Sequence, residues 1–228
     1  MEDDMSVVHR VRARVDRGGD SGFTLIELLV AMGLFSVFIA LFLTSIVTLI
    51  RGTEQVQSTS EASSKSLIVF QNIDRQVRYA DAINFPGDGA SGARYIEYRL
   101  PAASAPSGIT TCYQWRFVPT TGQIQTRQWH DTVGSTPGSW STKLNTATAP
   151  SVPDPSYPFE LIPATPGGSA KQQFVLTLNA GSPAYEAKAD VTSTFVARNS
   201  SGTSPSNVDS NGDGASDTPV CLATGDRP

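Results

Sequence analysis

One carboxylate stands out in this sequence because its neighbours are apolar. From Phe23 to Ile50 the chain carries a single charged side chain, Glu27. An ionised acid inside a membrane costs about 2.5–3.5 kcal/mol on insertion scales, so such a group usually has a partner. A cut after Gly22 would create one, because the new α-amine of Phe23 would lie one helical turn before Glu27, at the positive end of a helix. The residue types therefore indicate an ion pair that proteolysis makes available.

The residues around this carboxylate form a recognisable pattern. Gly22 to Glu27 read G-F-T-L-I-E and lead into the apolar run, which resembles the class III signal of type IV pilins and pseudopilins. The resemblance implies that a prepilin peptidase cuts after Gly22 and methylates Phe23. It also implies that Glu27 pairs with the N-terminal amine of a neighbouring subunit during filament assembly. The alternative is a plain signal anchor in which Glu27 lies at the membrane boundary and reaches water.

The apolar run is long enough to span a membrane. Its 28 residues, 23–50, would extend roughly 42 Å as a helix, and a hydrocarbon core is about 30 Å thick. A secretory signal has a shorter apolar region of about 7–15 residues, followed by a small-residue cleavage site that is missing here. Basic residues favour the cytoplasmic side of a span, and four arginines precede this one: Arg10, Arg12, Arg14 and Arg17. We therefore expect a single-pass membrane protein with its C-terminal domain outside.

The chain has two cysteines, Cys112 and Cys221, both in the part expected outside the membrane. Disulfides persist in such oxidising surroundings, so one bridge between them is the simplest interpretation. Closing a loop of this length would stabilise the fold by about 4–5 kcal/mol in the chain-entropy model. The alternative is a pair of buried free thiols. The spacing of these cysteines does not indicate a zinc site.

Residues 209–217 read DSNGDGASD and have the spacing of a calcium-binding loop. Alternate oxygen ligands could converge on Ca²⁺ around a turn at Gly214. The candidate ligands are the side chains of Asp209, Asn211, Asp213 and Asp217 and the carbonyl of Ala215. Val220 stands where an EF-hand has its bidentate glutamate, so the loop is closer to the short calcium loops of extracellular repeats. A solvated acidic tail without metal is the alternative.

Residues that could support catalysis are sparse. The two histidines are His9, in the N-terminal segment, and His130, at the end of a predicted strand. Ser169 and Lys171 lie close in sequence without any further catalytic pattern, and no GxSxG, HExxH or Walker motif occurs. Beyond Ile50, 13 basic residues face 15 acidic ones. We therefore predict no enzymatic activity and no general nucleic-acid binding.

A single long helix is predicted from Thr24 to Asp81, because after Ile50 no helix breaker appears before Pro86 and Gly52 alone costs about 1 kcal/mol. Beyond Ile50 its apolar residues recur at helical spacing and its charged residues fall on other faces. The apolar positions are Val56, Leu67, Phe70, Ile73, Val77 and Ala80, and the charged ones are Glu61, Lys65, Asp74, Arg75 and Arg78. We expect this second half to pack under a sheet.

Alternating segments after the helix predict one antiparallel sheet of four to six strands. These segments are 94–100, 111–118, 123–129, 159–162, 174–178 and 189–196, with a hairpin turn at 119–122. Tyr113, Trp115 and Trp129 are predicted to be core residues rather than a recognition surface. Residues 131–158 and 199–219 are rich in Ser, Thr, Gly, Pro and Asp, and they predict long surface loops.

The predicted fold class is α+β, with a long N-terminal membrane-spanning helix packed against an antiparallel β-sheet. The chain divides into a cytoplasmic leader (1–22), a transmembrane or filament-core helix (23–50), the exposed half of that helix (51–85) and an antiparallel β globular domain with long loops (86–228).

Three membrane-linked functions are compatible with these features. The first is a minor pilin that initiates or caps a type IV pilus. The second is a minor pseudopilin of a type II secretion system, and the third is an adhesive or DNA-uptake pilin. Residues 71–87 and 195–199 are similar to W-type minor pilins and J-type minor pseudopilins. The expected partners are prepilin peptidase, other pilins or pseudopilins, an inner-membrane assembly platform and membrane lipid.

Overall fold

The structure is a computed structural model that describes residues 22–152, 154–181, 188–213, 215–222 and 227–228. One helix is followed by short and long strands. They are α1 (Leu25–Val77), β1 (Ala82–Ile83), β2 (Gly87–Asp88), β3 (Arg94–Leu100), β4 (Thr111–Val118), β5 (Gln123–His130), β6 (Ser141–Leu144), β7 (Phe159–Ile162), β8 (Gln173–Gly181) and β9 (Lys188–Val196). One long N-terminal helix and antiparallel sheets confirm the predicted α+β, pilin-like architecture. The chain forms two compact units, Met1–Ile50 and Arg51–Pro228. Except for Gly22, the predicted leader lies outside the described residues.

The C-terminal end of α1 comes earlier than predicted. The sequence predicts a helix that reaches Asp81, with its second half at 51–85, but α1 ends at Val77. The backbone N–H groups of Tyr79 and Ala80 bond to carbonyls three residues back, which tightens and closes the last turn. The Asp81 N–H then donates to the Arg99 carbonyl over 3.0 Å. Pairing with β3 therefore replaces the helical bonds.

The buried face of α1 also differs from the predicted stripe. Phe70, Ile73 and Val77 are buried as expected, whereas Val56 is 70% exposed and Leu67 is 57% exposed. The buried stripe contains Ala62, Ser66, Val69, Phe70, Ile73 and Val77, at spacings of three and four residues. Small residues fill its first two positions, so a search for large apolar side chains missed where the covered face begins.

The larger sheet has six antiparallel strands in the order β1-β3-β4-β5-β6, with β2 also paired to β3. β4 and β5 form the predicted hairpin, and Gly122 in its turn has a φ of 64°, a conformation that favours glycine. β6 lies inside the predicted loop 131–158 and corrects that prediction. Its four residues contain one apolar side chain, Leu144, so no alternation marked it as a strand.

The prediction of a single sheet is wrong, because β7, β8 and β9 form a separate three-stranded antiparallel sheet. Its apolar side chains join the core of the Arg51–Pro228 unit: the Phe195 ring lies 6.1 Å from Phe70 and 6.1 Å from Phe174, measured between ring centroids. Alternation predicts which face of a strand is buried, but it does not identify the neighbouring strand. The sequence predicted the strands β7, β8 and β9, but it did not predict that they form a sheet of their own.

Tyr113, Trp115 and Trp129 are buried, as predicted for core residues. The Trp115 indole N–H donates to the Tyr98 hydroxyl over 2.7 Å, and that hydroxyl donates in turn to the Gln76 side chain on α1. Burial raises the pKa of Tyr98 well above its ordinary value. The aromatic residues of β3 and β4 therefore form part of the contact between the sheet and the second half of α1.

The described part of the loop 199–219 contains no strand, yet several of its polar side chains are buried, contrary to a simple surface loop. The Asn207 side chain both donates to the carbonyl of Ala164 and accepts from its N–H, each over 2.7 Å. The Ser200 hydroxyl accepts from the Gln172 N–H over 2.8 Å. Polar side chains here satisfy the backbone where strand pairing ends.

Candidate functional site

The start of α1 is built by a capping interaction. The Glu27 backbone N–H donates to the Thr24 hydroxyl oxygen over 3.3 Å, and the Leu28 N–H donates to the Thr24 carbonyl over 3.1 Å. Thr24 thus occupies the N-cap position, and Glu27 lies three residues later in the first turn. Threonine and glutamate at this spacing favour a helix that begins immediately after the predicted cleavage site.

Gly22 and Phe23 precede this cap and are accessible. Phe23 is 84% exposed, and Gly22 is exposed, with no atom within 4 Å of the point that a Cβ atom would occupy. A protease acting between them would meet no obstruction from the described residues of the same chain. The structure therefore places the predicted cleavage and methylation residues together, directly before the helix.

The Glu27 side chain points from the first turn of an apolar helix. Among the described residues, no cation lies within ion-pair distance of its carboxylate. Helix N-termini favour negative charge, so the carboxylate is compatible with the turn that carries it. A cationic partner for Glu27 would therefore come from outside the described residues, for example from a new N-terminus or from another molecule.

α1 also has the properties of a membrane span. An 18-residue stretch near its N-terminal end is apolar enough to cross a membrane by length and composition, and none of it is buried. The side chains of Leu34, Phe38 and Leu49 are all more than 60% exposed. Such a surface needs apolar cover, which lipid or neighbouring helices can provide.

In comparisons with known protein families, residues 17–43 match one motif. The matching model describes the prokaryotic N-terminal methylation motif. The match contains Gly22, Phe23 and Glu27 and covers the first part of α1. This motif is the class III signal of type IV pilins and pseudopilins, so it supports that family and implies processing by prepilin peptidase and assembly with other pilins. No curated protein and no solved structure matches the chain.

A disulfide joins Cys112 and Cys221, the pair expected from the sequence. It links β4 to the C-terminal segment across 109 residues. Asp131 lies beside the two sulfur atoms and accepts a hydrogen bond from the Leu222 N–H over 2.6 Å. Because both sulfurs are bonded to each other, these three residues form a structural link rather than a metal site.

A polar cluster of Glu97, Gln114 and Arg227 lies on the sheet face opposite the core, and the sequence did not predict it. Glu97 is 4% exposed and its carboxylate accepts from Arg227 over 2.6 Å and from Gln114 over 2.7 Å. Arg227 also donates to the Phe85 carbonyl over 2.9 Å. A buried carboxylate needs such partners, because removing one leaves an uncompensated charge. The position of Glu97 among the aromatic residues of β3 could have indicated a buried polar contact. Nothing in the sequence connected it to Arg227, which lies 130 positions away.

The residues of the predicted calcium loop lie in a compact turn, apart from Gly214, which is outside the described residues. Asp209 accepts from the Gly212 N–H over 2.8 Å, and Asp213 accepts from the Ala215 N–H over 2.8 Å. Asp217 accepts from the Ser210 N–H over 2.9 Å, and hydrogen bonds from Ser210 lower the pKa of this exposed carboxyl. The side chain of Asn211 donates to Asp213 over 2.9 Å. Calcium binding here stays a prediction.

The residues considered for catalysis have other roles in the structure. The Ser169 hydroxyl donates to the Lys171 carbonyl over 2.5 Å, and the Lys171 ammonium donates to the Ser200 carbonyl over 2.7 Å. Neither contact activates the hydroxyl as a nucleophile, because the ammonium bonds to a carbonyl elsewhere. His130 is exposed at the end of β5. The absence of enzymatic activity stays a prediction.

Proposed function

We propose that this chain is a minor pilin, a structural subunit of a type IV pilus that initiates or caps the filament. The observation that carries the proposal is the match to the methylation motif at 17–43, which leads into a helix with an exposed apolar surface. In this proposal prepilin peptidase removes residues 1–22 and methylates Phe23. The subunit then waits in the membrane lipid until an inner-membrane assembly platform transfers it into the filament.

Glu27 has a specific role in this proposal. The described residues of its own chain offer it no cation, so the α-amine of a processed neighbour is the proposed partner. A buried pair of this kind compensates for the cost of placing a carboxylate among apolar helices. The pairing would also fix the position of one helix relative to the next as subunits enter.

A minor position is favoured by the loops of the globular unit. A major subunit packs laterally in every copy of a fibre, and large loops would have to be accommodated each time. Residues 145–158 and 199–222 connect or follow the strands without a strand in their described parts. A subunit used a few times at the filament end faces fewer such constraints.

The first experiment is the intact mass and N-terminal sequence of the protein recovered from native membranes. We expect a chain that begins at Phe23 and carries one extra methyl group. Gly22→Val should block processing, whereas Gly33→Val, also at a glycine with no atom near its Cβ position, should not. A wild-type chain beginning at Met1 would contradict the proposal and return the sequence to a plain anchor.

A second experiment addresses assembly. Glu27→Ala should leave cleavage and methylation intact but strongly reduce the amount of subunit in sheared filaments. Glu61→Ala is the matched control, since Glu61 lies on the same helix in an exposed pair with Lys65. Normal incorporation of Glu27→Ala would contradict the ion-pair role.

The alternative is a minor pseudopilin of a type II secretion system, because the same motif occurs in pilins and pseudopilins. Deletion of the gene distinguishes the two functions. Loss of surface pili with normal protein export would support the pilin, and loss of export with normal pili would support the pseudopilin.

A further inference from the structure

A cleft of about 510 Å³ lies between the last turns of α1 and the strands β4, β5 and β6. All of its lining residues belong to the Arg51–Pro228 unit. Its volume is within the range of about 300–1,000 Å³ that is typical of small-ligand sites. The methylation motif, at 17–43, assigns no role to this cleft.

The charge of the cleft has one sign. Arg75, Arg127 and Lys143 contribute to its lining, and no carboxylate of the described residues does. Within the part of the chain that the structure describes, neither Arg75 nor Lys143 forms a salt bridge. Burial raises the pKa of the Tyr113 hydroxyl, and the positive charge of Arg75 opposes that rise, so the field of this guanidinium reaches the wall of the cleft.

Arg127 is held in position by its neighbours. Its Nε donates to the Gln114 side chain over 2.6 Å, and its guanidinium carbon lies 4.3 Å from the centroid of the Trp140 ring. Glu97, Gln114 and Arg127 are paired across β3, β4 and β5, so the Arg127 side chain lies on the sheet face opposite the cleft, and Arg75 and Lys143 are the charged groups of the cleft itself. The same Trp140 ring stacks against Arg116 at 4.0 Å.

The neutral part of the lining is rich in groups that both donate and accept hydrogen bonds. Amides are contributed by Asn72, Gln76 and Gln128, and hydroxyls by Thr126, Ser139 and Ser141. Lys143 also lines a smaller cavity of about 230 Å³ together with Lys65, whose ammonium group pairs with Glu61 on α1. The combination suits an elongated ligand that carries both hydroxyl groups and negative charge.

We propose that this cleft binds an acidic saccharide of the uronate type, with a carboxylate on Arg75 and Lys143 and hydroxyls on the amides and hydroxyls of the lining. Charge-assisted bonds fix the carboxylate, and the neutral groups distinguish a polyol from a simple anion. A concave site of this size does not fit a flat lipid surface. The inference is independent of filament assembly, because it depends on the Arg51–Pro228 unit alone.

The test is isothermal titration calorimetry of the full-length chain in nonionic detergent at low salt. The probe is trigalacturonate, and maltotriose is the uncharged control of the same length. We expect binding of trigalacturonate and none of maltotriose. Arg75→Gln and Lys143→Gln should each weaken binding by about tenfold, the effect of losing one charge-assisted bond.

The matched control is Arg198→Gln, because Arg198 is exposed and does not line the cleft. Its affinity should equal that of the wild type. Circular dichroism checks that each variant retains its fold, which is expected because Arg75 is exposed and Lys143 is half-buried. No binding of trigalacturonate at millimolar concentration, or equal weakening by Arg198→Gln, would overturn the proposal. Equal affinity for triglutamate would overturn the saccharide assignment.

Discussion

Residues 25–50 and 51–77 belong to one helix, yet they differ in what surrounds them. In the first stretch large side chains such as Leu25, Phe38 and Leu49 are 78%, 65% and 71% exposed. In the second stretch Val69, Ile73 and Val77 have no exposed surface at all. Each large apolar side chain gains about 1.5–3 kcal/mol on full burial. The second half obtains that gain within its own chain, and the first half must obtain it from lipid or other subunits.

The charges of the two stretches differ in the same way. Glu27 is the one charged residue of the first, whereas the second carries several, including the Lys65–Glu61 pair and Asp74, which pairs with Arg78 just beyond the helix. The distribution of apolar residues around the helix therefore differs between the two stretches. An apolar surface on all sides marks the half that depends on other molecules, and a narrow stripe marks the half that a sheet covers.

The largest expected effect comes from removing the disulfide, which belongs to the covered region. A Cys112→Ser, Cys221→Ser double variant should lose about 4–5 kcal/mol of unfolding free energy in the chain-entropy model for a loop of this size. Denaturant unfolding in detergent measures it by tryptophan fluorescence. All three tryptophans follow Ile50, so the signal reports the Arg51–Pro228 unit alone. An unchanged midpoint would show that the bridge does not support this unit.

The same substitution in both halves of α1 tests the comparison directly. Ile73→Ala removes a fully buried side chain and should cost about 2–5 kcal/mol of unfolding free energy. Ile39→Ala removes a side chain that is 40% exposed in the structure, and it should leave the tryptophan-monitored transition of the globular unit unchanged. Equal losses for the two variants would contradict the division of the helix into a covered and an uncovered half.

Alkaline pH provides a third test, because all six tyrosines also follow Ile50. Burial raises the pKa of Tyr157 to about 12, against 10.0 for an unperturbed tyrosine. The folded state therefore keeps a proton that the unfolded state loses. The stabilisation that comes from this raised pKa should be complete below pH 10 and should be lost as the pH rises toward 12. Unfolding midpoints over this range measure the slope.

Tyr157→Phe is the control for this pH dependence. The variant loses the hydrogen bond from the Tyr157 hydroxyl to the Thr148 carbonyl, so its stability at neutral pH should be lower. Its decline with pH should nevertheless be shallower, since one titrating group has gone. A decline as steep as that of the wild type would assign the effect to other residues.

The sequence predicted features that depend on residues close together in the chain. The helix, the long strands and the β4–β5 hairpin all follow from local periodicity and turn residues. So does the motif around Glu27, in which the residue types and their spacing carry the signal. Even the Cys112–Cys221 bridge needed little more than a count of two cysteines.

Features that depend on contacts between residues far apart in the chain could not be predicted from the sequence. Strand alternation could not divide the strands into two sheets, because it specifies a face and not a neighbour. The buried contact between Glu97 and Arg227 joins residues 130 positions apart, and the basic cleft unites Arg75 on α1 with Lys143 on β6. Each requires the tertiary fold before its members can be recognised as a group.

The smallest expected effect concerns calcium at 209–217. Extracellular calcium modules bind with dissociation constants of about 10⁻⁴–10⁻³ M, so calcium at roughly ten times that level should stabilise the fold by about 1.4 kcal/mol. The thermal midpoint of the full-length chain in detergent should then rise by about 3–6 °C with calcium and much less with magnesium.

Asp213→Asn tests whether this effect belongs to the loop. The asparagine keeps the side-chain oxygen that accepts from the Ala215 N–H, but it removes a negative charge from the proposed ligand set. Asp190→Asn, at an exposed position on β9, is the matched control. Calcium should stabilise the control as it does the wild type, and Asp213→Asn much less. If calcium has no effect on the wild type, the acidic residues of 209–217 act as a self-bonded turn, and the covered region owes its stability to its core and its disulfide without a metal.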